Sequence, residues 1–346
     1  MNMFDKRYCM SSYLTFRYVV REDIGWTDDC RPRYPVPGDS GQTGVNGAGG
    51  VDAFIEEYIN ANVDNNTGIF LSGGIDSAIL ASYLPKGTQA YVIRFVADGA
   101  IDESVSAQRY ADRYKLDLTI VDVSWEDYGM YSQELMKNKK SPLHAVEVGL
   151  YKAAKTAKDG GVNKIILGNG ADSTFGGMDK LLSKDWKFDE FVKRYSFVDS
   201  SSILRDPVSV ADEYEKYRIG ADRIDYVSFL KRTHGTGIIQ AFDNAIGLAG
   251  CTSLEPYEEM VLDAPLDLDR IRKGEPKYML TELFKKKYPN MDPPGKIPFA
   301  RPMEQWLGDW SGPVRDEFKD RCVDGISGDQ KYLVYCLEDF LNTMGM

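Results

Sequence analysis

The chain has 346 residues, 43% of them apolar, and a formal net charge of −11. That is enough apolar material for a full core in one large domain or two modest ones of roughly 150 residues each, and no run approaches the ~20 apolar residues of a membrane-spanning helix. The acidity argues against nucleic acid as a partner, since a phosphate backbone demands a basic footprint. Five scattered cysteines without a CxxC argue against structural zinc, an iron–sulfur cluster and a disulfide framework.

The opening stretch, MNMFDKRYCMSSYLTF, lacks the basic-then-apolar order of a signal peptide, so a cytoplasmic protein is expected. Residues 1–50 read as a short β-rich segment centred on Tyr13–Val20, followed by a Gly/Pro/Ser-rich linker over 36–50. A helix is predicted over Val51–Asn62. Residues 51–185 then alternate. Strands are predicted at Gly68–Leu71, Ala90–Phe95, Leu118–Val123 and Lys164–Gly168, with helices at Ser77–Leu84, Ser104–Tyr114 and His144–Lys158 between them. Such alternation predicts an α/β fold with a doubly wound, mostly parallel sheet, whose ligands bind at the carboxyl ends of the strands. Residues 186–346 become charged, aromatic and mostly helical, and are predicted to form a C-terminal helical lobe.

Two strand ends carry chemistry. After the first, Ser72-Gly73-Gly74-Ile75-Asp76-Ser77 combines two glycines that admit a ligand to the backbone, two hydroxyls, and the exposed N–H groups of a helix start. Together these make an anion cradle. A carboxylate beside it, Asp76, calls for a bridging cation, of which Mg²⁺ is the usual one. A plain Gly-rich strand-to-helix turn would need neither the acid nor the paired serines. After the fourth strand, Gly168-Asn169-Gly170-Ala171-Asp172 is followed by Phe175-Gly176-Gly177-Met178. A second acid at a neighbouring strand end lets Asp76 and Asp172 hold Mg²⁺ against a triphosphate from both sides.

The first loop resembles the pyrophosphate-binding loop of the ATP pyrophosphatase superfamily. The second narrows the resemblance to the synthetase domain of the asparagine synthetase family, and its Gly-Gly-Met ending is also similar to β-lactam synthetase. Further similarity lies in Ile93-Arg94-Phe95 with Asp102-Glu103, in Lys277-Tyr278-Met279-Leu280-Thr281-Glu282, and in Lys296-Ile297-Pro298-Phe299 through Trp306-Leu307. The resemblance covers about residues 52–310.

It implies ATP-dependent formation of AMP and pyrophosphate with activation of a small-molecule carboxylate, the acyl group passing to ammonia or an amine. Ser72, Gly73, Gly74 and Ser77 are expected to hold the pyrophosphate, and the backbone at Leu71, Ile93 and Gly168 the adenine. Lys296 is expected to meet negative charge in the cleft. Three departures qualify it. Position 2 is Asn2 and about fifty residues precede the domain, so no glutamine hydrolysis is expected within this chain; a separate glutamine amidotransferase is left open. Asn169 stands where the relatives have Glu or Tyr and cannot act as a base. Glu255 replaces an Arg, and Ser173 an acid, so the acid substrate need not be aspartate. A catalytically altered nucleotide-binding subunit and a tRNA-modifying enzyme on the same core are the competing readings. The two histidines, His144 and His234, are expected at a helix end and in a loop.

Overall fold

The computed structural model describes residues 3–35, 41–295 and 301–346. Lys296 therefore lies outside the described residues. At the centre are five strands, β1 (Thr67–Phe70), β2 (Gln89–Phe95), β3 (Asp117–Val123), β4 (Lys164–Ile166) and β5 (Thr252–Leu254). They are all parallel and lie in the order β5-β4-β1-β2-β3. The doubly wound α/β sheet read from the sequence is thus present. Chain direction across it reverses between β1 and β4, because β1 is followed by β2 on one side while β4 is added on the other. Ligands of open parallel sheets bind at such a switch point. Here it is the place from which both Gly-rich loops emerge.

Helices cover both faces, as buried parallel strands require. Ala78, Ile79 and Leu80 of Ile75–Ala81 pack with Ile69, Leu71 and Val92 on one face. On the other, Ala153, Ala154 and Ala157 of Glu147–Asp159 pack with Tyr91, Val121 and Ile165. The predicted helix over 104–114 occupies Ser104–Tyr114, and the one predicted from Val51 begins earlier, at Gly47.

One expectation is corrected. Of the stretch Tyr13–Val20 read as β-rich, the first four residues end a helix, Lys6–Phe16, with Asp5 accepting the Tyr8 N–H at its N-cap and Arg17 closing it in the left-handed region at φ 70°. Its Tyr and Thr content favours strand locally, but burying Cys9, Met10, Tyr13 and Leu14 in the larger core decides the matter. Full burial is worth about 1.5–3 kcal/mol for a side chain such as leucine, more than propensity differences of at most ~1 kcal/mol. The C-terminal region, predicted as mostly helical, also contains short strands. It supplies β5 to the sheet edge, and Phe191, Phe229, Leu337 and Phe340 share one core with the N-terminal helix. Three residues, Thr-Ser-Leu, are too few for strand periodicity to register. Among the described residues no helix is long and apolar enough to cross a membrane.

Candidate active site

The loop after β1 is preorganised by its own hydroxyls. Ser77 Oγ accepts the Ser72 N–H at 3.0 Å and lies 2.9 Å from Ser72 Oγ, while Ser72 Oγ accepts the Gly74 N–H at 3.2 Å. Two tyrosines fix the loop from outside: Tyr110 donates to the Gly73 carbonyl at 3.2 Å and Tyr257 to the Asp76 carbonyl at 3.0 Å. The cradle is thus shaped before any anion arrives.

Asp76 and Asp172 do meet across the switch point, and between them stands a residue not singled out from the sequence. Lys277 Nζ lies 2.6 Å from Asp76 Oδ2 and 2.8 Å from Asp172 Oδ1. Burial opposes its charge, but the two carboxylates outweigh that and hold the ammonium well above the ordinary lysine range. Lys277 occupies the left-handed region at φ 50°, just before the helix Tyr278–Lys287. A non-glycine residue there carries local backbone strain. Gly177 completes the cluster, because a Cβ on it would overlap both Asp172 Oδ1 and Lys277 Cε. The Phe-Gly-Gly sequence is therefore required by close approach. Lys277 was visible in the sequence only as the first residue of a helix resembling the family's.

The two carboxylates, with phosphate oxygens opposite, form the hard-oxygen donor set Mg²⁺ prefers. The residues fit that ion, with the lysine sharing the same charges. Among the described residues no group of three His, Cys, Asp or Glu side chains could hold a metal unaided.

A cavity of about 480 Å³ opens from this cluster, within the range of ligand pockets. Leu71, Ser72, Asp76, Ser77, Ile93 and Gly168 lie in its wall, together with Asn169 and Asp172. The Leu71 N–H is taken by the Tyr91 carbonyl at 2.8 Å, so its carbonyl is the group left for a base. A depression of about 610 Å³ along Lys6, Arg205 and Arg315 lies elsewhere, and those cations are already paired with Glu317 and Asp320.

Asn169 Nδ2 donates to Glu255 Oε2 at 3.0 Å, which turns the amide into an anchor. Beside it Glu258 lies against Gly170, whose φ of +86° and lack of Cβ permit the approach; a Cβ there would come 2.9 Å from Glu258 Cγ. Burial, then the neighbouring Glu255 charge, pushes the Glu258 carboxyl up to about 7, with Lys231 acting weakly the other way. Nothing in the sequence singled out Glu258, because its partner Gly170 is remote along the chain.

Neither histidine is peripheral. Both line the cavity together with Arg17 and Arg301.

Residues 59–234, half of the chain, match the family model described as asparagine synthase. The chain belongs to the asparagine synthase family. Among curated proteins it is similar to "Amidase chry2" of Gibberella zeae, 27% identical over 139 residues. That match takes in 35% of this chain and only 21% of the relative, so the chain spans about a fifth of that protein. Among solved structures it is similar to an NH3-dependent NAD synthetase from Campylobacter jejuni, 18% identical with a TM-score of 0.25, covering 37% of this chain and 58% of that one. It is also similar to an NMN synthetase from Francisella tularensis, 11% identical with a TM-score of 0.27, covering 73% and 97%. These structural likenesses are too distant to carry function to this chain.

Proposed function

We propose that the protein is an AMP- and pyrophosphate-forming amide ligase that adenylates a small-molecule carboxylate and transfers the acyl group to ammonia or a primary amine. The observation that carries this reading is the meeting of the Ser72–Ser77 cradle with Asp76, Asp172 and Lys277 at the switch point of the sheet. A carboxylate oxygen attacks the α-phosphorus as the bond to pyrophosphate breaks. The amine nitrogen then attacks the acyl carbon, and AMP departs with the bridging oxygen. Ser72, Gly73, Gly74 and Ser77 bind the leaving pyrophosphate, Leu71, Ile93 and Gly168 the adenine, and Lys277 meets the charge that grows between them. Asp76 and Asp172 would hold Mg²⁺, which when bound neutralises phosphate oxygens. Lys296 keeps the charge-stabilising role that the resemblance gives it.

The amine must lose a proton, and Asn169 cannot take it. Glu258 can. A base with a pKa near the working pH is the efficient one. Below about 7 the Glu258 carboxyl is protonated and idle, and above it ionised. Acyl transfer to ammonia should therefore rise with pH through about 7. Glu258→Gln should flatten that limb and cost a hundredfold to ten-thousandfold, the usual range, roughly, for a general base. A variant with an unchanged pH–rate profile would remove Glu258 from the mechanism.

The reading is tested by measuring AMP and pyrophosphate release by the purified chain with a panel of carboxylates. Ammonium should support product formation and glutamine alone should not. Glutamate release from glutamine by this chain would contradict it. ATP binding with no AMP or pyrophosphate formed from any acid would make the protein a nucleotide-binding subunit.

A further inference from the structure

The cavity runs from the phosphate cradle to a second charged cluster with no part in ATP chemistry. Two tyrosines set it up. Tyr13 donates to the Leu143 carbonyl at 2.7 Å, one residue before His144, and Tyr18 donates to the Thr233 carbonyl at 2.7 Å, one residue before His234. The intervening Arg17, held left-handed at the end of its helix, is thereby placed between the two imidazoles. Its Nη2 lies 3.2 Å from His234 Nδ1 and its Nη1 3.5 Å from His144 Nε2, with the guanidinium 5.1 Å above the Phe197 ring.

This guanidinium is desolvated, and among the described residues no carboxylate forms an ion pair with it. Burial is the main force against its charge, and Arg301 repels it further. Asp329, the one acid whose field reaches it, is itself paired with Arg301 at 3.2 Å. Two guanidiniums thus face the cavity against one carboxylate. The histidines add no negative charge: burial, then Arg17 and Arg301, drives His144 well below the ordinary range, so it is neutral. Its Nδ1 faces the Val146 N–H at 3.4 Å while its Nε2 faces Arg17. A neutral imidazole has one N–H and one acceptor nitrogen. The Arg17 guanidinium has neutral partners, His234 Nδ1 at 3.2 Å and the Tyr195 hydroxyl, but no anionic one among the described residues. A buried charge of this kind calls for an anion.

We infer that the Arg17–His144–Arg301 end of the cavity binds an anionic group of the acyl substrate, a second carboxylate or a phosphate, distinct from the carboxylate that is activated. This rests on the ligase reading above. The activated carboxylate loses its charge on becoming a mixed anhydride, so it cannot remain the counter-ion of a permanent guanidinium; a second anion can. Arg17 and Arg301 lie outside the family-matched residues 59–234, whereas His144 and His234 lie within them.

The sequence provides a clean reporter, because its only two histidines both stand in this cluster. In protein carrying ¹⁵N-histidine, titration with malonate or with inorganic phosphate should move the His144 and His234 signals saturably, and the tighter of the two anions names the source. Saturating pyrophosphate in the buffer keeps the cradle filled. Arg17→Met should weaken that binding at least about tenfold, the loss of a charge-assisted contact. Arg17→Lys should restore part of it, and Arg301→Met should weaken it too. Histidine signals that do not shift saturably with either anion, or that shift identically in both methionine variants, would overturn the site. The readout needs no turnover. Saturable binding with no pyrophosphate release from any acid would therefore refute the ligase reading alone. In the turnover assay, a doubly anionic acid should exceed its half-amide at least about tenfold in kcat/KM in wild type and not in Arg17→Met. Equal use of the acid and its half-amide by wild type would refute the second-anion assignment.

Discussion

Replacing Lys277 with alanine is expected to lower pyrophosphate release by roughly a hundredfold to a thousandfold, about 2.7–4 kcal/mol, the usual loss when one fixed donor to developing charge is removed. The ammonium touches both strand-end carboxylates and is held charged by them. It stands where charge accumulates as the pyrophosphate bond breaks. A transition-state contact of this type lowers turnover more than it weakens ATP binding. The deletion also takes one positive charge away from Asp76 and Asp172, so Mg²⁺ should raise the Tm of Lys277→Ala more than that of wild type. Isothermal titration with a non-hydrolysable ATP analogue, single-turnover pyrophosphate release and thermal melts with and without Mg²⁺ check both halves. A variant with full turnover and no altered response to Mg²⁺ would reduce Lys277 to a structural ion pair.

Asp76→Asn and Asp172→Asn should each abolish Mg²⁺-dependent turnover while leaving the protein folded. Asparagine preserves shape and removes one unit of charge from a hard-oxygen donor set. Asp172 is about half exposed and Asp76 about a quarter, so the stability cost is small, and Lys277 keeps one carboxylate in either variant. The measurement is the Mg²⁺ concentration dependence of pyrophosphate release. Near-wild-type rates at ordinary Mg²⁺ in either variant would take that aspartate out of the metal assignment.

Four of the five strands were legible as short runs between helices, and two of them, β1 and β4, lead into glycine and acid at the switch point. Asp76, Asp172 and the Ser72–Ser77 cradle were legible for the same reason: each is local to one strand end. Side chains that arrive from remote segments were not. Lys277 is one cation in a charged stretch, and Glu258 one acid among several; only packing against Gly177 and Gly170 distinguishes them. The N-terminal helix was misread because Tyr, Thr and Val residues favour strand until their burial is counted. The same error hid Arg17. The histidines looked like end and loop residues because nothing local indicates that a helix far along the chain will bring a guanidinium between them.

Docking of the helix Lys6–Phe16 through Tyr13 and Tyr18 has a practical corollary. The Ser72–Ser77 cradle, Asp76 and Asp172 lie within the family-matched residues 59–234, whereas Arg17, in the wall of the acid half, follows a helix packed into the larger core. For the experimentalist this helix is no neutral handle: a change that unseats it would disturb the larger core and the acid half of the cavity together.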